Sequence, residues 1–255
     1  MAGLTPDWMP ELFFCHRYEF AFIADFLGYR IGTRADQVDT NRVHEMLDDD
    51  IEVDFVDNNF KNPDRDRLET IVSLTETEFV VLPDIDNGES LEDIVSYGTY
   101  LADEYDTTPI VVPKDDLDYS LIPSEWILGF SVPSGYGGTD VPVENFTSHR
   151  VHLLGGSPRN QIKFANKLCD VGAEVYSIDG NSFAKGAGFG NIINEPLEMI
   201  DESGELDGNA WDSDVDGYTD WGQRIVKSLA RNYELWRQWS IATGRQETEV
   251  NTVTQ

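Results

Sequence analysis

Cysteine is almost absent: Cys15 and Cys169 are the only two in 255 residues. Two thiols cannot make a disulfide framework, and the four histidines (His16, His44, His149, His152) supply no Cys-x-x-Cys type of zinc spacing. Long hydrophobic runs are also missing. None approaches the roughly 18 residues of a membrane span, and the N-terminus lacks a basic-plus-apolar signal, so an intracellular protein without a membrane partner is expected. Positive charge is scarce, with Lys+Arg 18 against Asp+Glu 48 and a net charge of -30. Only six of the 18 cations are lysine. The acid is spread along the chain instead of forming one tail-like block. A uniform acid coat with few lysines suits very high salt, because at 1 M the Debye length is about 3 Å and self-repulsion is screened. The same screening weakens the rule that an acidic protein avoids nucleic acid. There is no P-loop and no GxSxG elbow. KGAGFG (185–190) neither follows a strand nor opens a helix in the required way, and is expected as a flexible loop.

What is present is enough apolar residue, 40%, to build a core. The middle of the chain alternates short apolar strands with helical patterns. IEVDFVDN (51–58), EFVVLPDID (78–86), TPIVVPK (108–114), WILGFSVPSGYGG (126–138), RVHLLGG (150–156) and EVYSIDGNSF (174–183) read as strands. DRDRLETIVSLTE (64–76), SLEDIVSYGTYLADEY (90–105) and PRNQIKFANKLCDVG (158–172) read as helices. Ser90 with Asp93 is close to a capping box, and Pro158 and Gly172 mark a start and a stop. This spacing predicts βαβ units and a parallel sheet, favouring a (β/α)8 TIM-barrel-like fold, complete or reduced, over an open sheet. Residues 1–190 form the expected catalytic core. LFFCHRYEFAFIADFLGYR (12–30) contains an aromatic helical stretch, expected to cover the barrel bottom or complete its first unit. Residues 191–222 read as a long loop. QRIVKSLARNYELWRQWSIAT (223–243) reads as an amphipathic helix, so that 191–255 packs on the barrel as part of one domain.

The polar strand ends are Asp57, Asp84 and Asp86, Lys114, the 134–138 loop, the 155–157 loop and Asp179. In a barrel these positions line the active site, and in an open sheet they still line the ligand crevice. Asp179 interrupts an apolar strand and can serve as nucleophile or base. The competing reading is an Asx-turn leaving the strand. Three such clusters at successive strand ends shift the balance toward a polar pocket. His152 alternates with Val151 inside a strand and is expected as a hydrogen-bonded structural histidine. DSDVDGYTDWGQ (212–223) matches part of a calcium loop, with Asp212, Asp214, Asp216 and Asp220 as ligands but Gln223 where glutamate would be needed.

The stretch VHLLGGSPRNQIKFANKLCDVGAEVYSIDGNSF (151–183) resembles the tRNA-guanine transglycosylase superfamily, in which a Pro-led helix precedes a strand ending in the catalytic aspartate. The segments VDNNF, SVPSGYGGT and HLLGGS are most similar to the shortened viral DNA-guanine transglycosylase paralogues of the DpdA type. The resemblance covers about residues 51–190. It implies Asp179 as the nucleophile and Asp57 as the proton-transferring carboxylate. It implies Asp84 or Asp86, with Asn58, Gly137 and Gly138, as the base-binding set. Two departures stand out. No cysteine follows Cys169, so the zinc subdomain of the tRNA enzymes is missing, and Asp57-Asn58-Asn59 replaces an Asp-Ser-Gly-Gly motif.

The implied reaction exchanges guanine in DNA for a 7-deazaguanine base of the preQ0 or preQ1 type. The partners are DNA, with tRNA as the alternative, and the free base. A homodimer is left open. No metal or redox cofactor is required by that chemistry. Lys185 and Arg159 flank the expected site as phosphate-binding candidates. The implied setting is the cytoplasm of a halophilic archaeal cell, with a virus-encoded chain. The alternative of another class is a non-catalytic nucleic-acid-binding relative. A further alternative is a calcium-stabilised barrel with a hydrolytic activity using Asp84 and Asp86.

Overall fold

Strands buried on both faces read as continuous apolar runs, and parallel pairing between them requires a crossover at each step. The chain makes eight parallel strands joined by seven crossovers, and most of the strands are such runs. The computed structural model describes residues 6, 8–15, 18–85, 90–115, 119–135, 137–180, 182–193, 200–201, 204–205, 211–212 and 220–245. Strands β1 (Glu11–Phe14), β2 (Arg30–Arg34), β3 (Phe55–Asp57), β4 (Phe79–Val81), β5 (Thr108–Val111), β6 (Ile127–Ser131), β7 (Arg150–Leu154) and β8 (Glu174–Asp179) lie in sequence order. Every neighbouring pair is parallel, and β8 pairs back onto β1, which closes the barrel. The barrel is therefore complete, not reduced.

Helices α1 (Ala21–Phe26), α2 (Thr40–Asp48), α3 (Arg65–Thr75), α4 (Leu91–Tyr105), α5 (Pro158–Asp170), α6 (Ser182–Gly188) and α7 (Trp221–Ala242) complete the order, with a short antiparallel pair β9 (Ile192–Ile193) and β10 (Trp211–Asp212) before α7. The helix starts follow capping chemistry. Asp39, Asp64, Ser90, Ser157 and Asp220 each accept a backbone N–H from the third residue on. Each such cap is worth about 1 kcal/mol.

The run 12–30 does contain a helix, α1, and completes the first unit of the barrel, but it also holds β1 and a short 3-10 turn, and β2 starts at its end. One expectation needs correction. The segment 185–190 is not a loop, because Lys185 to Gly188 belong to α6, with Phe183, Ala184 and Ala187 buried. The barrel's packing outweighs the poor helix propensity of its glycines.

Two apolar layers result. The outer one lies between strands and helices and takes Val56, Val80, Leu128, Val151 and Ile178 from the outward strand faces. The inner one fills the barrel with Phe13, Phe55, Phe79, Ile110 and Ile127. Phe13 stacks on Phe55 at 4.7 Å and meets Phe79 edge-on at 5.7 Å. Arg30 plugs the N-terminal end. It pairs with Glu11 and Asp54 at 2.7 Å each and with Glu78, and its guanidinium lies over the Phe13 and Phe79 rings. Helix α7 packs on α6 and α1, with Trp236 and Trp239 fully buried, so the C-terminal segment is part of the same body. No helix among the described residues is long and apolar enough to cross a membrane.

Candidate active site

With one end sealed by Arg30, the polar groups gather at the other. Strand alternation sends Phe55 and Asp57 inward and Val56 outward, so the inner face of β3 passes from aromatic core to carboxylate within three residues. Burial pushes the Asp57 carboxyl well above the ordinary carboxylate range. The negative fields of Asp179 and Asp84 add to this, while Arg34 and the Asn58 N–H oppose it. Asp57 and Asp179 end the parallel strands β3 and β8, and Asp84 follows β4, so the three carboxyls gather at the same end of the barrel.

Asp179 ends β8. Its Oδ1 accepts the Gly155 N–H at 2.8 Å, so the loop after β7 grips the end of the next strand. Gln161 fastens the same junction by donating to the carbonyls of Gly155 and Asp179 at 2.8 and 2.7 Å. Asp84 is almost wholly buried, with Lys114 Nζ 3.1 Å from its Oδ2. Asp86 lies outside the described residues.

The base-binding candidates separate. Asn58 is 3% exposed, and its amide nitrogen donates to the carbonyls of Val81 and Leu82. Through this nitrogen it ties β3 to the end of β4. Ser134 and Gly137 close a tight turn through Ser134 N–H to Gly137 O at 2.7 Å. Gly138 lies against Pro133, whose Cα would sit 2.6 Å from any added Cβ. Thr139 Oγ1 donates to Pro113 O and anchors this loop to the end of β5. Arg159 in the first turn of α5 and Lys185 in α6 are exposed.

Asp220 caps α7, its Oδ1 accepting Gln223 N–H at 3.2 Å. Asp212 lies in β10, and Asp214 and Asp216 fall outside the described residues. No cluster of three metal-ligating side chains occurs among the described residues.

Three contributors were not legible as site residues. Arg34, at the end of β2, chelates Asp36 at 3.1 and 3.0 Å and reaches Asp57 electrostatically. Cys15 follows β1; burial first, then the fields of Asp179 and Asp57, push its thiol up, so it stays protonated and behaves as a small hydrophobe. His152 does make the structural hydrogen bond expected of it, Nδ1 to Ser177 Oγ at 2.8 Å, but its Nε2 also lies 3.5 Å from Asp179 Oδ1. The ordered pairing of β7 with β8 creates that contact, and no local pattern announces it.

Residues 24–203 match the model of a family described as a family of unknown function, DUF6610. No curated protein matches. Among solved structures, the chain is similar to a truncated form of 3-deoxy-D-arabino-heptulosonate 7-phosphate synthase from Thermotoga maritima. The identity is 10%, the TM-score 0.48, and the alignment covers 95% of this chain and 87% of that one.

Proposed function

We propose, for a chain that belongs to the DUF6610 family and takes no activity from that membership, a guanine transglycosylase acting on DNA. The observation that carries this reading is the carboxyl pair at the barrel mouth. Asp57 is held toward its protonated form, and Asp179 is oriented by the Gly155 N–H. Two carboxyl groups in unlike environments divide acid and nucleophile roles between them.

In the proposed reaction an Asp179 oxygen attacks C1′ of the target nucleotide. The bond from C1′ to the guanine nitrogen breaks, its electron pair leaves with the base, and Asp57 supplies the proton. The Asp57 carboxylate then takes the N–H proton of the incoming 7-deazaguanine. That nitrogen attacks C1′ and frees Asp179. Asp84 suits an acceptor for guanine N–H groups, and Lys114 holds it in place. The Gly137–Gly138 turn suits main-chain donation to the base oxygen. Arg159 lies in the first turn of α5, after β7, and Lys185 in α6, after β8, near the path a backbone phosphate would take. On a duplex the target base must first leave the stack, at a cost of a few kcal/mol.

The test is nucleoside mass spectrometry of DNA and tRNA from a halophilic host supplied with the deazaguanine. A modified deoxynucleoside that disappears in Asp179→Asn supports the reading. Modification of tRNA alone keeps the chemistry and replaces the substrate. No modified nucleoside in either pool overturns the proposal.

A further inference from the structure

A fully buried imidazole with one nitrogen unpartnered is costly, because a desolvated polar atom without a hydrogen bond loses its bond to water and gains none in return. His152 is 0% exposed, and its Nε2 has no hydrogen-bond partner. The ring cannot turn away. Phe55 lies 5.0 Å from it and Phe13 5.9 Å, centroid to centroid, and Ser177 Oγ holds Nδ1 at 2.8 Å. So fixed, Nε2 is aimed at Asp179 Oδ1, 3.5 Å away, the same oxygen that accepts the Gly155 N–H.

We infer that Ser177 and His152 form a positioning relay for Asp179. The Ser177 hydroxyl donates to Nδ1, which places the remaining proton on Nε2, and Nε2–H donates to Oδ1. With Oδ1 held by two N–H groups, Oδ2 is the oxygen presented to the substrate. The 3.5 Å separation is that of a bond that shortens when substrate fills the mouth, as hydrogen bonds of unliganded sites commonly do. His152 touches no reacting atom; it acts through Asp179. The residues come from two adjacent strands, β7 and β8, so the relay is built into the barrel wall and not into a mobile loop. The inference rests on the nucleophile role proposed for Asp179.

The test joins kinetics to a measurement that needs no turnover. His152→Leu should lower kcat for base exchange about 100-fold, the usual cost of a misplaced reacting group, with KM changed less than about threefold. His152→Gln keeps an N–H toward Asp179 and an acceptor toward Ser177, and should recover most of the loss. Ser177→Ala should cost about 10-fold. Nitrogen-15 NMR of the imidazole in the wild-type protein should show the Nε2–H tautomer, with its resonance shifted in Asp179→Asn. An Nδ1–H tautomer, or wild-type kcat in a folded His152→Leu variant, overturns the relay. Should the wild-type protein exchange no base at all, the transglycosylase reading fails, and the tautomer still decides whether Nε2 donates to Asp179.

Discussion

Gly155 and Gly156 are adjacent, and both have positive φ, at +64° and +82°. Alanine at either position should nevertheless have different consequences. At Gly155 an added Cβ meets nothing within 4 Å. The cost is the left-handed backbone alone, about 1 kcal/mol. At Gly156 the added Cβ would lie 2.5 Å from Val132 Cγ1 and 2.9 Å from Val132 Cβ. Val132 is buried and β-branched, so its side chain has no alternative rotamer to offer. Overpacking of that kind adds about 1–3 kcal/mol, for a total of about 2–4 kcal/mol. Urea unfolding in molar salt would measure both, with the slope unchanged so that the midpoint reports stability. Gly155→Ala keeps its N–H on Asp179 and should keep base exchange within a few-fold. Gly156→Ala displaces the end of β6 and should lose both stability and rate. Equal stability losses, or a milder Gly156→Ala, would refute the packing argument.

Burial and neighbouring carboxylates raise Asp57, so between its ordinary value of 3.8 and its raised one the folded state keeps a proton that the unfolded chain has released. Stability should therefore fall as pH rises through that window. Asp57→Asn should remove this slope, stabilise the protein at neutral pH relative to wild type, converge with it below about pH 4, and abolish exchange; parallel stability curves would contradict the assignment. At the other end of the barrel, Arg30→Ala leaves Glu11, Asp54 and Glu78 facing one another without a cation. Removing one partner of a buried ion pair costs about 3–5 kcal/mol, and the partial exposure and salt screening here reduce that to about 2 kcal/mol. Thermal unfolding at low and high salt should show a larger loss at low salt, and a salt-independent loss would assign the effect to packing on Phe13 and Phe79.

Much of this architecture was legible before any coordinates. The segments 78–86, 108–114, 126–138 and 150–156 announced buried parallel strands, because each carries consecutive apolar residues where a half-exposed strand would alternate. Ser90, Ser157 and Pro158 marked helix starts, because a cap is a local contact within three residues. Strand β2 escaped notice for a physical reason. Its inward side chains are Arg30, Gly32 and Arg34, so it carries polar or missing side chains where a strand normally shows its core face. Strand β1 was hidden in an aromatic run that fits a helix equally well. Asp57, Asp84 and Asp179 were legible as candidates, since each is a carboxylate where an apolar run stops.

Composition and local pattern thus determined the acid coat, the alternation of strand and helix, and the positions at which chemistry could sit. Tertiary structure alone decided that eight strands close, that Asp57 and Asp179 come to the same end of the barrel, that Lys114 takes Asp84, that Asn58 ties strands together, and that His152 aims at the nucleophile candidate. The reason is range. Caps and periodicity are fixed by residues three or four apart, whereas the contacts of the site join separate strands, as Asn58 to Val81, 23 positions apart, and Gly155 to Asp179, 24 apart, and only the pairing of the barrel strands sets their register.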